Sequence, residues 1–193
     1  MTNITKVLFS SLIIFVLIVS CSQVYTPKPS GYLRIDFPEK KYQSFKGSMP
    51  YAFDYPVYGE IVVDKQKDAE PFWINIEFPK YKGKIHLSYK KINKNLANYI
   101  EETRKLAYKH ASKADAIDEK IIRNDTTNVY GIFYDIKGNS ASSVQFFVTD
   151  SNKNFIRGAL YFSAQPNKDS LAPAIEFFKK DVEHFIQTLK WQK

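Results

Sequence analysis

Apolar positions change period several times along the chain. Residues 7–19 are apolar apart from Ser10 and Ser11, and Lys6 stands just ahead of them. A membrane-spanning helix needs about 20 apolar residues, so this run is too short; it has the length of a signal-peptide core behind a positive start. Residues 21–30 show no period and contain Pro27 and Pro29, which predicts a short semi-rigid tether. Alternation then begins. Leu33, Ile35 and Phe37 interleave with Tyr32, Arg34 and Asp36, predicting a strand that Pro38 ends. Residues 51–55, 59–63, 72–78 and 84–89 read as further strands.

A helical period follows. Leu96, Tyr99, Ile100, Thr103, Leu106 and Ala107 share one face, with Glu101, Glu102, Arg104, Lys105 and Lys109 opposite. Asn93 or Asn95 can cap this helix. Residues 121–123, 129–136, 142–149 and 155–163 return to strand character, with turns at Lys137-Gly138-Asn139 and Asp150-Ser151-Asn152. The last helix is expected from about Ser170 to Trp191, with Ser170 as cap and Pro173 in the first turn. Its buried stripe is Ile175, Phe178, Val182, Phe185, Ile186 and Leu189. Strands outnumber helices and the late connections are short, which favours hairpins. The fold class is therefore α+β, a mainly antiparallel β-sheet with two packed α-helices. It follows a lipoprotein signal peptide at 1–20 and a tether at 21–30, leaving one domain at 31–193.

Composition narrows the class. With 15 Phe, 13 Tyr and 2 Trp, the chain is too aromatic for a solvating, disordered protein. Its single cysteine excludes an internal disulfide, a four-cysteine zinc site and a CxxC pair. That cysteine ends Ile18-Val19-Ser20-Cys21, which resembles the bacterial lipobox, where the thiol is acylated and the chain cut just before it. Acylated Cys21 would anchor the mature chain to a membrane without spanning it. The net charge of +8 raises nucleic acid as a partner, but export and the pattern argue against it. The lysines are scattered in ones and twos, as at Lys40-Lys41, Lys90-Lys91 and Lys179-Lys180, with no arginine stripe.

Chemistry is sparse. GxSxG, Walker-type, HExxH and GxGxxG motifs are all missing, and His86, His110 and His184 share no metal-binding spacing. His86 faces away from Ile85 and Leu87 and reads as structural, His110 continues the first helix's apolar face, and His184 falls toward the polar face of the last helix. Glu101-Glu102 are adjacent on a solvated helix face, while Asp135 and Asp150 stand at strand ends where turns use Asp. No catalytic residue, metal site or cofactor is expected. Polar residues on apolar strands are more informative. Tyr32, Arg34 and Asp36 lie on one candidate strand, and Arg157 interrupts the core-like run from Phe155 to Phe162. They form either a partner-binding patch, rich in Tyr and Arg as interface centres are, or a solvated sheet face with arginine stems over rings.

Several blocks carry a resemblance. They are Gly31-Tyr32-Leu33-Arg34-Ile35-Asp36-Phe37-Pro38, Trp73-Ile74-Asn75-Ile76-Glu77-Phe78-Pro79, Ile85-His86-Leu87-Ser88-Tyr89-Lys90, and the run from Gly138 to Ser151. Arg157-Gly158-Ala159-Leu160-Tyr161-Phe162 and Asp169-Ser170-Leu171-Ala172-Pro173 follow. In this order they resemble the gliding-motility-associated lipoprotein family GldD of Bacteroidetes. The resemblance implies a role in gliding motility and the associated type IX secretion machinery, no enzymatic activity or cofactor, and Cys21 as the acylated residue, palmitate among its chains. The late strand–strand–helix pattern is also similar to the PsbP/Mog1-like group of binding and assembly modules.

Two expectations follow from that source. Ser22 follows the cysteine and no acidic cluster precedes Asp36, which points to a domain facing the periplasm. Asp125-Thr126-Thr127 and Asp169-Ser170-Leu171 resemble O-glycosylation sites of this phylum; Thr126 is the candidate acceptor, and Asp169-Ser170 reads as a helix cap. The expected function is a lipid-anchored, non-enzymatic docking or assembly module of the cell envelope. Its partners would be the membrane, through acylated Cys21, and gliding and type IX secretion components, with no nucleic acid. The reading from another class is an envelope lipoprotein that binds or hydrolyses a cell-wall glycan or other small ligand.

Overall fold

Alternating burial along the late strands builds the main sheet. In Val144-Gln145-Phe146-Phe147-Val148-Thr149 the odd and even positions enter two different cores, as period-two side chains on a doubly covered sheet must. The computed structural model describes residues 35–109, 111–164 and 167–192. Short strands β1 (Tyr42–Ser44), β2 (Tyr51–Ala52) and β3 (Asp54–Pro56) come first. Strands β4 (Glu60–Val63), β5 (Ile74–Phe78) and β6 (Gly83–Lys91) lead into helix α1 (Leu96–Tyr108). Strands β7 (Ala114–Asn124), β8 (Val129–Gly138), β9 (Val144–Thr149) and β10 (Asn154–Phe162) precede helix α2 (Lys168–Thr188), and β11 (Lys190–Trp191) closes the chain. The seven-stranded sheet has the order β4-β5-β6-β10-β9-β8-β7, antiparallel throughout. The class is α+β, with two helices on a mainly antiparallel sheet.

Helix α2 covers one face. Phe178, Val182, Phe185, Ile186 and Leu189 pack with Ile76, Phe78, Leu87, Phe146, Val148, Ile156 and Leu160. Gly158 leaves the Phe146 ring its place: a Cβ there would stand 2.2 Å from that ring. Helix α1 covers part of the other face, setting Leu96, Tyr99, Ile100 and Ala107 on Tyr134, Ile136, Phe147 and Phe155.

Several boundaries differ from the sequence pattern, each for a local reason. Residues 35–37 form no strand. Pro38 has no N–H to donate, and the segment is held by its rings instead, Phe37 stacking on Phe177 at 4.3 Å and on Tyr81 at 5.6 Å. The expected strand at 51–55 divides into β2, paired with β11, and β3, paired with β1. Phe72 adopts a positive φ of 69°, so the next strand starts only at Ile74. Strand β7 is far longer than residues 121–123 because an exposed strand shows no apolar alternation. Helix α2 starts at Lys168 with Asn167 as its cap, the Asn167 Oδ1 accepting from the amides of Asp169 (3.1 Å) and Ser170 (3.0 Å). Ser170 is therefore not the cap, and Pro173 lies inside the helix. Asn95 stands at the cap position of α1, yet its Oδ1 accepts from the Asn93 amide at 2.8 Å and caps nothing. Cys21, Tyr32, Arg34 and His110, with the expected leader and tether, lie outside the described residues.

Candidate functional site

On the α1 side of the sheet the strand register lines up polar side chains. Asn75 stands opposite His86, His86 opposite Ala159, and Ala159 opposite Gln145; one step along, Ser88 faces Arg157. All sit on strands whose alternate residues fill the α2 core, so the sheet itself aims them at the other face.

At one end of the row His86 Nδ1 lies 3.0 Å from Asn75 Oδ1 and 3.3 Å from Asp64 Oδ2. The Asn75 oxygen on Nδ1 assigns the proton there and leaves Nε2 as an acceptor, while buried Asp64 Oδ2 stands close but accepts no hydrogen bond. The Asp64 and His86 side chains are only 3% and 15% exposed, and the Trp73 ring stands edge-on to the imidazole at 5.7 Å. Burial pushes the His86 pKa below its ordinary value; Asp64 pulls it up, while Arg157 and Lys84 push it further down. The imidazole is therefore neutral at pH 7.

At the other end half-buried Arg157 donates from Nη2 to Gln145 Oε1 at 2.8 Å. Its Nε–H is buried with no acceptor, and so is the Nε2 amide of Gln145, a residue with 0% exposure. Among the described residues no carboxylate pairs with Arg157. A buried donor left unpaired costs about 1–3 kcal/mol, and more when charged. Both donors therefore stand buried in the polar row without an acceptor.

A second polar cluster is closed. The Asp181 side chain, 0% exposed, meets Lys40 Nζ at 2.7 Å and accepts from Tyr58 at 2.8 and 2.9 Å and from Tyr42 at 3.1 Å. Lys40 Nζ also donates to Tyr58 Oη (2.7 Å) and to the Phe177 carbonyl (2.9 Å), and lies 3.3 Å from the Phe177 ring centre. Burial lowers the Lys40 pKa against the pull of Asp181, and burial together with Asp181 raises Tyr42 and Tyr58. Tyr42 stacks on His184 at 3.5 Å, so that histidine is half-buried under the strap rather than on a polar helix face. Every group here but His184 Nε2 has a partner, which makes the cluster a fastener for the entering chain.

The described residues predicted as sites do not converge. Arg157 belongs to the α1-side row. Asp36 is on the α2 side, where its carbonyl accepts from Tyr81 at 3.2 Å next to the Phe37–Phe177 stack. Thr126 is exposed at the tip of the β7–β8 turn, its amide held by Asn124 Oδ1 at 3.1 Å. Asp150 builds a turn: burial pushes its carboxyl up, but the amides of Asn152, Lys153 and Asn154 bring it below the usual range. Asp135 pairs with Lys179 of α2 at 3.2 Å. Among the described residues no group of three or more His, Cys, Asp or Glu could hold a metal ion.

With this geometry in place, the family model of gliding motility lipoprotein GldD matches residues 22–191. The chain belongs to the GldD family. It is thus a gliding-motility-associated lipoprotein of the cell envelope, and the family is not known for enzymatic activity. Among solved structures it is similar to the solution structure of cyanobacterial PsbP (CyanoP) from Synechocystis sp. PCC 6803, with 12% identity and a TM-score of 0.52. That match covers 86% of this chain and 99% of the other, and at such identity it shows the fold alone. No curated protein matches. Asp64, Asn75, Gln145 and Asp181 were missed by sequence reasoning. Gln145 had a visible signal, an amide inside Val144-Gln145-Phe146-Phe147-Val148, and so did Asp181, one residue before Val182 in the apolar stripe.

Proposed function

We propose that this GldD-family lipoprotein is a docking module of the gliding and type IX secretion machinery. The leader at 1–20 is removed, acylated Cys21 holds the chain on a membrane, residues 21–30 form the tether, and the domain at 31–193 faces the periplasm. The docking step is carried by one observation: buried Arg157 Nε and Gln145 Nε2 are donors without acceptors on the α1 face. Arg157 is half-buried, so a rotation of its side chain would bring Nε to the surface, where a carboxylate oxygen from a partner protein would accept from it; a charge-assisted bond of that kind is roughly twice as strong as a neutral one. A binding role is favoured over catalysis because the Nδ1 of neutral His86 is engaged by Asn75 beside the Trp73 ring, and among the described residues no hydroxyl or thiol bonds to the imidazole.

The test is co-purification of tagged full chain from native membranes in mild detergent. Wild type is expected to retain motility or secretion components. Arg157→Ala should still fold, with a modestly lowered melting temperature because buried Gln145 Oε1 loses its Arg157 donor, while losing those components and cell spreading. Retained partners and normal spreading in a folded Arg157→Ala protein would remove the docking face from Arg157.

Thr126 fits an O-glycosylation acceptor, since it is exposed on a turn and follows Asp125. Mass spectrometry of the mature protein should find a glycan on the peptide containing it. A bare Thr126 at full sequence coverage ends that assignment.

A further inference from the structure

Strand β7 ends the sheet order, so among the described residues its 11-residue backbone pairs on one side only, with β8. Long free edges invite a further strand. Its middle carries Ile121 at 86% exposure, far more than Ile117 or Ile122, which both pack partly against the cores. Ile121 also rims a groove of ≈ 470 Å³ whose apolar lining includes Leu96, Ile100, Tyr130 and Phe147. Nearly complete exposure of a β-branched apolar side chain on a free edge calls for an occupant.

The sequence of the strand names it. From the structure we infer that β7 pairs antiparallel with β7 of a second copy, about a two-fold axis normal to the sheet at Glu119. An axis in that direction keeps each face of one copy continuous with the same face of the other. In this register Ile117 stands opposite the second copy's Ile121, Asp118 opposite its Lys120, and Ala116 opposite its Ile122. Symmetry makes each pair twice. Directly opposed apolar and opposite-charge pairs are the units that stabilise antiparallel strands.

Charge separates this register from its two neighbours. Shifting by two residues one way sets Asp118 against Asp118 and Ile117 against Glu119. Shifting the other way sets Lys120 against Lys120 and Ile121 against Glu119. The first keeps only Ala114 opposite Ile122, at the bulged end of the strand, and the second keeps no apolar or opposite-charge pair. The Glu119 register has one like-charge contact, at the axis, where each carboxylate already accepts from Tyr108 at 2.9 Å. Lys120 has an ammonium 5.8 Å from the Phe133 ring centre and no ion-paired carboxylate among the described residues, so it is available to Asp118 of the second copy. Asp118 is bonded to Lys137 through Oδ2 and keeps its other oxygen for the incoming lysine.

The experiment uses the full chain in mild detergent. Light scattering is expected to give a concentration-dependent dimer. Glu119→Cys places two thiols across the axis and should cross-link to itself under mild oxidation, whereas Lys180→Cys, exposed on α2, should not. Lys120→Asp should weaken the dimer by about tenfold or more, as two attractive pairs become repulsive. Asp118→Lys combined with Lys120→Asp should restore it, an outcome that general damage to the strand could not produce. A monomer at all concentrations, a dimer indifferent to Lys120→Asp, or no rescue by the double exchange overturns the inference. So does a Glu119→Cys cross-link formed in cells only to a different protein, which would assign the edge to that protein instead.

Discussion

Replacing Asp181 by Ala is expected to remove about 3–5 kcal/mol of stability, the usual result of deleting one partner of a buried ion pair. The loss is not the worth of a single contact. Asp181 is the acceptor for Lys40, Tyr58 and Tyr42 together, so its removal leaves a half-buried cation and leaves two hydroxyls to find new acceptors. Asp181→Asn keeps one side-chain oxygen and should lose less. Lys40→Met keeps much of the stem that lies against Phe177 while removing the charge, and should also be milder. Combining Lys40→Met with Asp181→Ala should cost clearly less than the two separate losses added, because the orphaned cation is then gone. Urea unfolding checks all four proteins, with a lowered midpoint at unchanged m-value as the expected signature. A loss below about 1 kcal/mol for Asp181→Ala would mean that the strap holds without its ion pair. The same variant should loosen residues 35–41 first, where no strand forms and the Phe37 stacks are the main hold, while Tyr42–Ser44 stay paired with β3. Faster amide exchange confined to this segment would locate the damage.

The sequence pattern reveals most where one face of an element is buried. Phe178, Val182, Phe185 and Ile186 are legible as the α2 stripe because helix packing demands a 3.6 period, and β8 to β10 are legible because their runs are strongly apolar. Strand β7 fails that test. Both its faces are largely exposed, so Ala114 to Lys120 look like a polar loop until the partner strand β8 is known. The strand expected at 32–37 fails for the opposite reason: alternation is present, but described residues 35–37 are fixed by ring stacking and not by a ladder. At the site, Arg157 is visible as a charge within an apolar run. Its relation to Gln145 and His86 is a matter of strand register, which single-sequence periodicity does not carry. Asp181 makes the same point from the helix side, since its partners Lys40, Tyr42 and Tyr58 are more than 100 residues away in the chain.

Cys21→Ala is expected to move the protein from the membrane to the soluble fraction almost completely. Each buried acyl methylene contributes about 0.8 kcal/mol, and stable anchoring needs two chains or an equivalent second signal. No helix among the described residues is long and apolar enough to cross a membrane in their place. The scattered lysines offer only about 1 kcal/mol each near an anionic surface, and screening reduces that further. An unprocessed leader would itself hold the membrane through residues 7–19, so the variant is made behind a cleavable secretory leader replacing residues 1–20. Folding should be untouched, since Cys21 lies outside the compact unit Leu33–Lys193, and an unchanged melting curve checks this. Motility should nevertheless fail. Confinement to a surface raises the effective concentration of a weak contact, and its loss lowers apparent affinity by about 10²–10⁴ with the docking face intact. Overexpression of the soluble variant should then restore part of the spreading, which separates an anchor that concentrates the domain from one that transmits force. Normal spreading by the soluble protein at native levels would show that neither role of the anchor is needed.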